Sequence, residues 1–227
     1  MFKNIKIVDL THSLLPGMAT WDASCGFLAK VHHDYDQTGN AISFRVQHLS
    51  MHAGVGTHMD APAHCFPKGK TIDEISVCDL FAPCTFIDVS SHCHEDLNVN
   101  VEHIKAWEKN HGTILERTIV IIRTGWDNFF SNAQRYRNDL KFPAVDKDAA
   151  RYLLSKKILG LGIDTLSPDR PNEGYPVHKA FLSAGTYIIE NVANASSLPP
   201  LGAHILALPL KIQGGTEAPL RLVGLMK

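Results

Sequence analysis

The chain has 227 residues, 44% of them hydrophobic and 20% charged, with a formal net charge of −1. That length suits a single domain, residues 1–227, whose core needs no staples, and a near-neutral balance gives no basic field to favour nucleic acid. No apolar run reaches the ~20 residues that span a bilayer, and the N-terminus, MFKNIKIVDLTHSL, lacks the apolar block of a signal peptide, so a cytoplasmic protein without membrane or nucleic-acid partners is expected.

Lys6–Leu10 reads as a first strand. The segment that follows, with Pro16, Gly17 and Gly26, has no sustained period and reads as a long surface loop. Trp21 stands in it, either capping the edge of the core or walling a ligand site. Ala41–Leu49 alternates Ile42, Phe44 and Val46 with polar residues, the pattern of a half-buried strand. Another extended piece lies in Ser76–Val89. His92–Asp96 reads as a solvated loop, because neighbouring residues on a strand point to opposite faces and chelate poorly. Val101, Ile104 and Trp107 stand at helical spacing, with Asn100 as N-cap and Gly112 as stop. Thr118–Arg123 is a continuous β-branched run, suited to a strand buried on both faces. Asp146 caps a helix with Ala149, Ala150, Leu153 and Leu154 on one face. Ile158–Ile163 is a further buried strand that ends in a polar loop, Asp164–Pro168. Pro176 opens a short helix closed by Gly185, and Thr186–Glu190 is the next strand. Ala203–Leu210 and Pro219–Leu225 finish the sheet. Strands and helices alternate irregularly, which implies an α/β domain with a mixed sheet.

Five cysteines, at 25, 65, 78, 84 and 93, form no C-x-x-C pair. Neither a disulfide framework nor a structural zinc knuckle is expected, and most should be small buried apolar residues. A cysteine hydrolase built on Cys65 and His64 is disfavoured, since neighbours on an extended segment diverge.

The chemistry concentrates in Leu49–Pro67, LSMHAGVGTHMDAPAHCFP. Gly54, Gly56, Pro62 and Pro67 argue against a helix. In an extended segment His58 and Asp60 share a face, and Pro62 turns the chain so that His64 can return to the same space. Converging imidazoles and a carboxylate describe half of a catalytic zinc or manganese site. Glu190 ends an apolar strand, where an unpaired charge costs several kcal/mol. It therefore pairs with a cation, with hydrogen-bond donors or with a metal. His178, twelve residues earlier, can meet it across one short helix and a Gly turn. For these two residues alone, a salt-bridged Glu and a His near a helix end remain an adequate account.

The block Gly56–His64, GTHMDAPAH, resembles the signature of the Putative cyclase family of metal-dependent hydrolases, to which arylformamidases (kynurenine formamidases) and isatin hydrolases belong. TIVIIRTGWD, GIDTLSPD, VHKAFLSAG through IIENV, and ALPLKIQGGTEAPLRLV resemble further family segments in the same order. The resemblance implies a swivelling β/β/α fold and metal ligands at His58, Asp60, His178 and Glu190. It also implies His64 as proton donor and acceptor, and Trp21 as a substrate-contacting aromatic residue. The family carries another histidine ligand four residues before His58, where this chain has Gly54; either a loop longer by two residues keeps His52 as that ligand, the preferred expectation, or the ligand is lost and one position of a two-metal site is weakened. A divalent metal is implied, zinc first and manganese second, as one ion or two. The expected reaction is hydrolysis of a small-molecule amide, an aryl-formamide such as N-formylkynurenine or a cyclic imide, with Trp21, Phe27 and Phe66 around the site. The alternative is a catalytically inactive metal-binding protein of the same fold. A homo-oligomer, dimer or tetramer, is also expected.

Overall fold

A run of β-branched residues such as Thr118–Arg123 needs apolar partners on both sides, and the surrounding chain supplies them. The computed structural model describes residues 5–37 and 42–227. It opens with β1 (Lys6–Asp9), a ribbon of β2 (Phe27–His33) and β3 (Val46–Met51), and the three-residue β4 (His58–Asp60). Then come β5 (Phe81–Asp88), β6 (Asn98–Val99), α1 (Val101–His111), β7 (Ile119–Arg123), α2 (Ala133–Arg137), β8 (Ala144–Val145) and α3 (Lys147–Ser155). The chain finishes with β9 (Gly160–Ile163), α4 (Pro176–Ser183), β10 (Tyr187–Glu190), β11 (His204–Pro209) and β12 (Glu217–Met226).

Seven strands close on themselves in the order β12-β11-β5-β7-β9-β10-β4, with β4 pairing back to β12 and β1 added outside β12. The stretch β5-β7-β9-β10 is parallel, and the pairings of β1, β4, β11 and β12 with their neighbours, including β11 with β5, are antiparallel. The sheet is therefore mixed, as the irregular alternation implied. Because strand side chains alternate, Ile119 and Ile121 of β7 enter the barrel interior with Met59, Ile189, Ile205 and Leu222. Val120 and Ile122 face outward, beneath Ile104 and Trp107 of α1, Ala149, Ala150 and Leu153 of α3, and Phe181 of α4. The helix starts follow their caps: His103 N donates to Asn100 Oδ1 at 3.1 Å, and Asp148 N to Asp146 Oδ1 at 2.7 Å. No helix among the described residues is long and apolar enough to cross a membrane.

Two expectations need correction. The strand expected at Ala41–Leu49 runs from Val46 to Met51; Ala41 lies outside the described residues, Ile42 and Phe44 precede the strand and are exposed, and the strand itself is not half-buried, with Val46 40% and Leu49 49% exposed. Among the described residues the strand pairs only with β2, so its apolar residues meet no second layer there. Among the cysteines Cys84 alone is buried, because it alone lies on a core strand; Cys25, Cys65 and Cys78 are exposed and Cys93 is half-buried, on turns and loops.

Burial also leaves one histidine strained. His12 stacks on Phe130 with ring centroids 3.4 Å apart, and its buried Nε2 has no hydrogen-bond partner. Burial pushes its pKa from 6.5 down to about 4. The folded state thus resists a proton that the unfolded chain accepts. The associated stability is present above pH 6.5 and is lost as the pH falls through about 4, an effect of roughly 2–3 kcal/mol. Denaturant titrations between pH 7 and 4 should show this decline, and His12→Phe should flatten it.

Candidate active site

The tight turn before β4 sets the site. Gly56 holds φ +61°, and a Cβ there would lie 2.6 Å from Leu14 Cδ2, so a larger residue would be strained. Its carbonyl oxygen lies 2.9 Å from His58 Nδ1 and accepts from Asn191 Nδ2 at 2.8 Å. A carbonyl only accepts, so Nδ1 carries the hydrogen and Nε2 is turned inward. His178, in the first turn of α4, is oriented likewise: its Nδ1 lies 2.7 Å from Asp169 Oδ2. Asp169 is fully buried and also accepts from the backbone N–H of Val177 (3.0 Å) and His178 (2.9 Å). Such outer partners fix the ring and its tautomer in metal sites.

The two Nε2 atoms face the same carboxylates. His58 Nε2 lies 3.4 Å from Asp60 Oδ1 and 3.3 Å from Glu190 Oε2. His178 Nε2 lies 3.5 Å from Asp60 Oδ2 and 3.5 Å from Glu190 Oε1. All four residues are buried. Burial works against charge on His58, but the facing carboxylates of Asp60 and Glu190 outweigh it and hold the ring well above its usual pKa. Burial likewise pushes Asp60 up, and the two imidazoles overcome it and hold this carboxyl far below the usual range. Glu190 is raised, by burial first and then by the Asp60 charge.

A divalent cation fits this cluster. Ligands ~2.1 Å from a tetrahedral ion lie ~3.4 Å apart, which is the spacing of these donors. Asp60 Oδ1 is buried with no hydrogen-bond partner, an orphaned charge-bearing atom that a bound cation would satisfy. Among the described residues two three-donor groups form, His58–Asp60–Glu217 and Asp60–His178–Glu190, each with its atoms within 4.8 Å of one another. Asp60 belongs to both.

A cleft of about 430 Å³ opens above the cluster, lined by Trp21, His64, Cys65, Leu166 and Tyr175 among others. His64 ends a 3-10 turn begun by Pro62, and its Nδ1 lies 3.3 Å from Glu217 Oε2. This contact raises the His64 pKa. Trp21 and Tyr175 stand 6.1 Å apart, forming an aromatic wall. The structure therefore brings together His58, Asp60, His64, His178, Glu190 and Trp21. It does not bring His52: that residue is exposed, and its N–H is tied to Gly26 O at 2.9 Å, which keeps it with the ribbon. Phe27 is buried with Met18 and Val55, and Phe66 packs beside the helical layer, so neither lines the cleft. Burial raises the Cys65 pKa, the wrong direction for a thiolate nucleophile. Asp169, Tyr175 and Glu217 were not singled out from sequence. The only hint was an acid or an aromatic in the polar loops after strands.

The family model described as "Putative cyclase" matches residues 8–170. The chain belongs to the Putative cyclase family. Curated family relatives include an isatin hydrolase of Roseibium aggregatum, 34% identical over 85% of this chain and 78% of that protein. A kynurenine formamidase of Salinibacter ruber is 26% identical over 96% of each chain. Among solved structures, isatin hydrolase A from Ralstonia solanacearum superposes with a TM-score of 0.91 at 32% identity, over 99% of this chain and 93% of that one. In this cyclase-family chain the mixed closed sheet is thus the family fold; His58, Asp60 and Glu190 lie on the strands of its seam, and His178 reaches them from the first turn of α4.

Proposed function

We propose that this chain is a metal-dependent hydrolase that cleaves the C–N bond of an aromatic amide, either an aryl-formamide such as N-formylkynurenine or a cyclic amide such as isatin. The observation that carries the reading is the convergence of His58, Asp60, His178 and Glu190 around an unsatisfied carboxylate oxygen, beneath an aromatic-walled cleft. Those four residues would hold the metal, zinc in first place and manganese in second, and Asp60 belongs to both donor groups. A divalent cation there lowers the pKa of a water toward neutrality and polarises a carbonyl oxygen. Amide nitrogen leaves poorly until protonated, and His64, at the mouth of the cluster, delivers that proton. Trp21 and Tyr175 hold the aromatic part of the substrate, and Leu166 excludes water beside it. The expected homo-oligomer belongs to the same reading: the exposed Leu28, Val31 and Leu49 of the ribbon support a second copy covering them.

The test is direct. Purified protein should contain stoichiometric metal by mass spectrometry. It should hydrolyse N-formylkynurenine, isatin or a related aryl amide in a screen, lose that activity to a chelator and regain it with Zn²⁺ or Mn²⁺. Bound metal with no turnover on any aromatic amide would instead support the inactive metal-binding alternative.

A further inference from the structure

Glu217 opens β12, and the register of the seam gives it a defined place. On one side of β4, Glu190 is paired directly with His58; on the other, Glu217 is paired directly with Asp60. Directly paired residues project from the same face, and so do His58 and Asp60. The four side chains therefore stand together on three adjacent strands. The Glu217 carboxylate lies within 4.8 Å of donors on both His58 and Asp60. Asp60 Oδ1, the oxygen that faces His58 Nε2, is the buried atom without a partner.

Gly54 is the counterpart of this arrangement. A Cβ built at position 54 would collide with Glu217 Oε1 and approach His58 Nε2 to 3.2 Å. Any side chain there would contest the space that the carboxylate occupies. The other oxygen, Oε2, faces His64 Nδ1 at 3.3 Å. One carboxylate thus presents one oxygen toward the ion position and the other toward the proton-transferring imidazole.

We propose that Glu217 is itself a metal ligand. With His58 and Asp60 it completes an ion position beside that of Asp60, His178 and Glu190, and it replaces a donor that would otherwise enter from position 54. This rests on the metal-dependent reading above. The resulting donor set is one imidazole and two carboxylates. It is harder than a set with a second imidazole, which moves its preference from Zn²⁺ toward Mn²⁺.

The experiment uses the full chain, stripped of metal and titrated calorimetrically with Mn²⁺ and Zn²⁺, with bound metal counted after dialysis. Circular dichroism of the metal-free forms checks folding. Glu217→Ala and Glu217→Gln should each lose one ion or bind it at least tenfold more weakly. The double variant Gly54→His/Glu217→Ala should recover that ion and favour Zn²⁺ over Mn²⁺ more than the parent does, a rescue that a purely structural role for Glu217 would not produce. Folded single variants that bind both metals with parental affinity would overturn the assignment and leave the hydrolase reading standing. A parent chain that binds neither metal would remove both.

Discussion

Asp60→Asn should empty the site of metal and reduce turnover by at least ~10³-fold. The substitution keeps the shape of the side chain and removes its charge, so loss of packing does not enter. Asp60 is the one residue common to both donor groups, and its two oxygens face different imidazoles, Oδ1 toward His58 at 3.4 Å and Oδ2 toward His178 at 3.5 Å. A neutral amide would aim an N–H at one of these Nε2 atoms and would offer a cation no charge. Free water has a pKa of about 15.7, against ~7 when activated by a metal, so the background reaction cannot replace what is lost. Mass spectrometry of the purified variant, beside steady-state kinetics on the substrate found in the amide screen, measures both effects. A variant that kept stoichiometric metal would show that Asp60 is not needed to hold it.

His64→Ala should separate the two properties that Asp60→Asn removes together. His64 lies at the mouth of the cleft, and the carboxylate its Nδ1 faces, at 3.3 Å, is that of Glu217, not the buried pair Asp60 and Glu190. Metal content should stay at the parental level. kcat should fall by about 10²–10⁴-fold, the usual worth of a positioned acid–base group. A substrate whose leaving nitrogen is already a good leaving group should suffer least. Equal loss of metal in this variant would reassign His64 to the ligand set.

Much of this architecture is local and was readable from local signals. The caps at Asn100 and Asp146, the all-apolar run of β7 and the proline that starts α4 each depend on neighbours a few residues away. His58 and Asp60 share a face because alternation along a strand needs no knowledge of the fold. The misreadings occur where distant segments decide. The alternation of Ile42, Phe44 and Val46 pointed to a strand, but only Val46 lies in β3, and alternation does not say whether a second layer exists to cover it. His52 looked available as a donor because residue counting assumes slack in the loop, whereas pairing with Gly26 pins it to the ribbon. Asp169 and Glu217 escaped notice because only the closed sheet and the docking of α4 bring them to the histidines they contact. A carboxylate in a polar loop has no distinguishing mark until that closure is known.

The barrel is sealed by a strand of three residues, and two of the three, His58 and Asp60, are donors of the proposed metal site. Sliding β4 by one place would turn His58 and Asp60 away from the cleft and put Met59 in their stead. Zipping the final stave into the circle and building the reaction centre are therefore a single event. A molecule in which β4 had not docked would leave His58 and Asp60 apart from Glu190 and Glu217, which face them only across that seam.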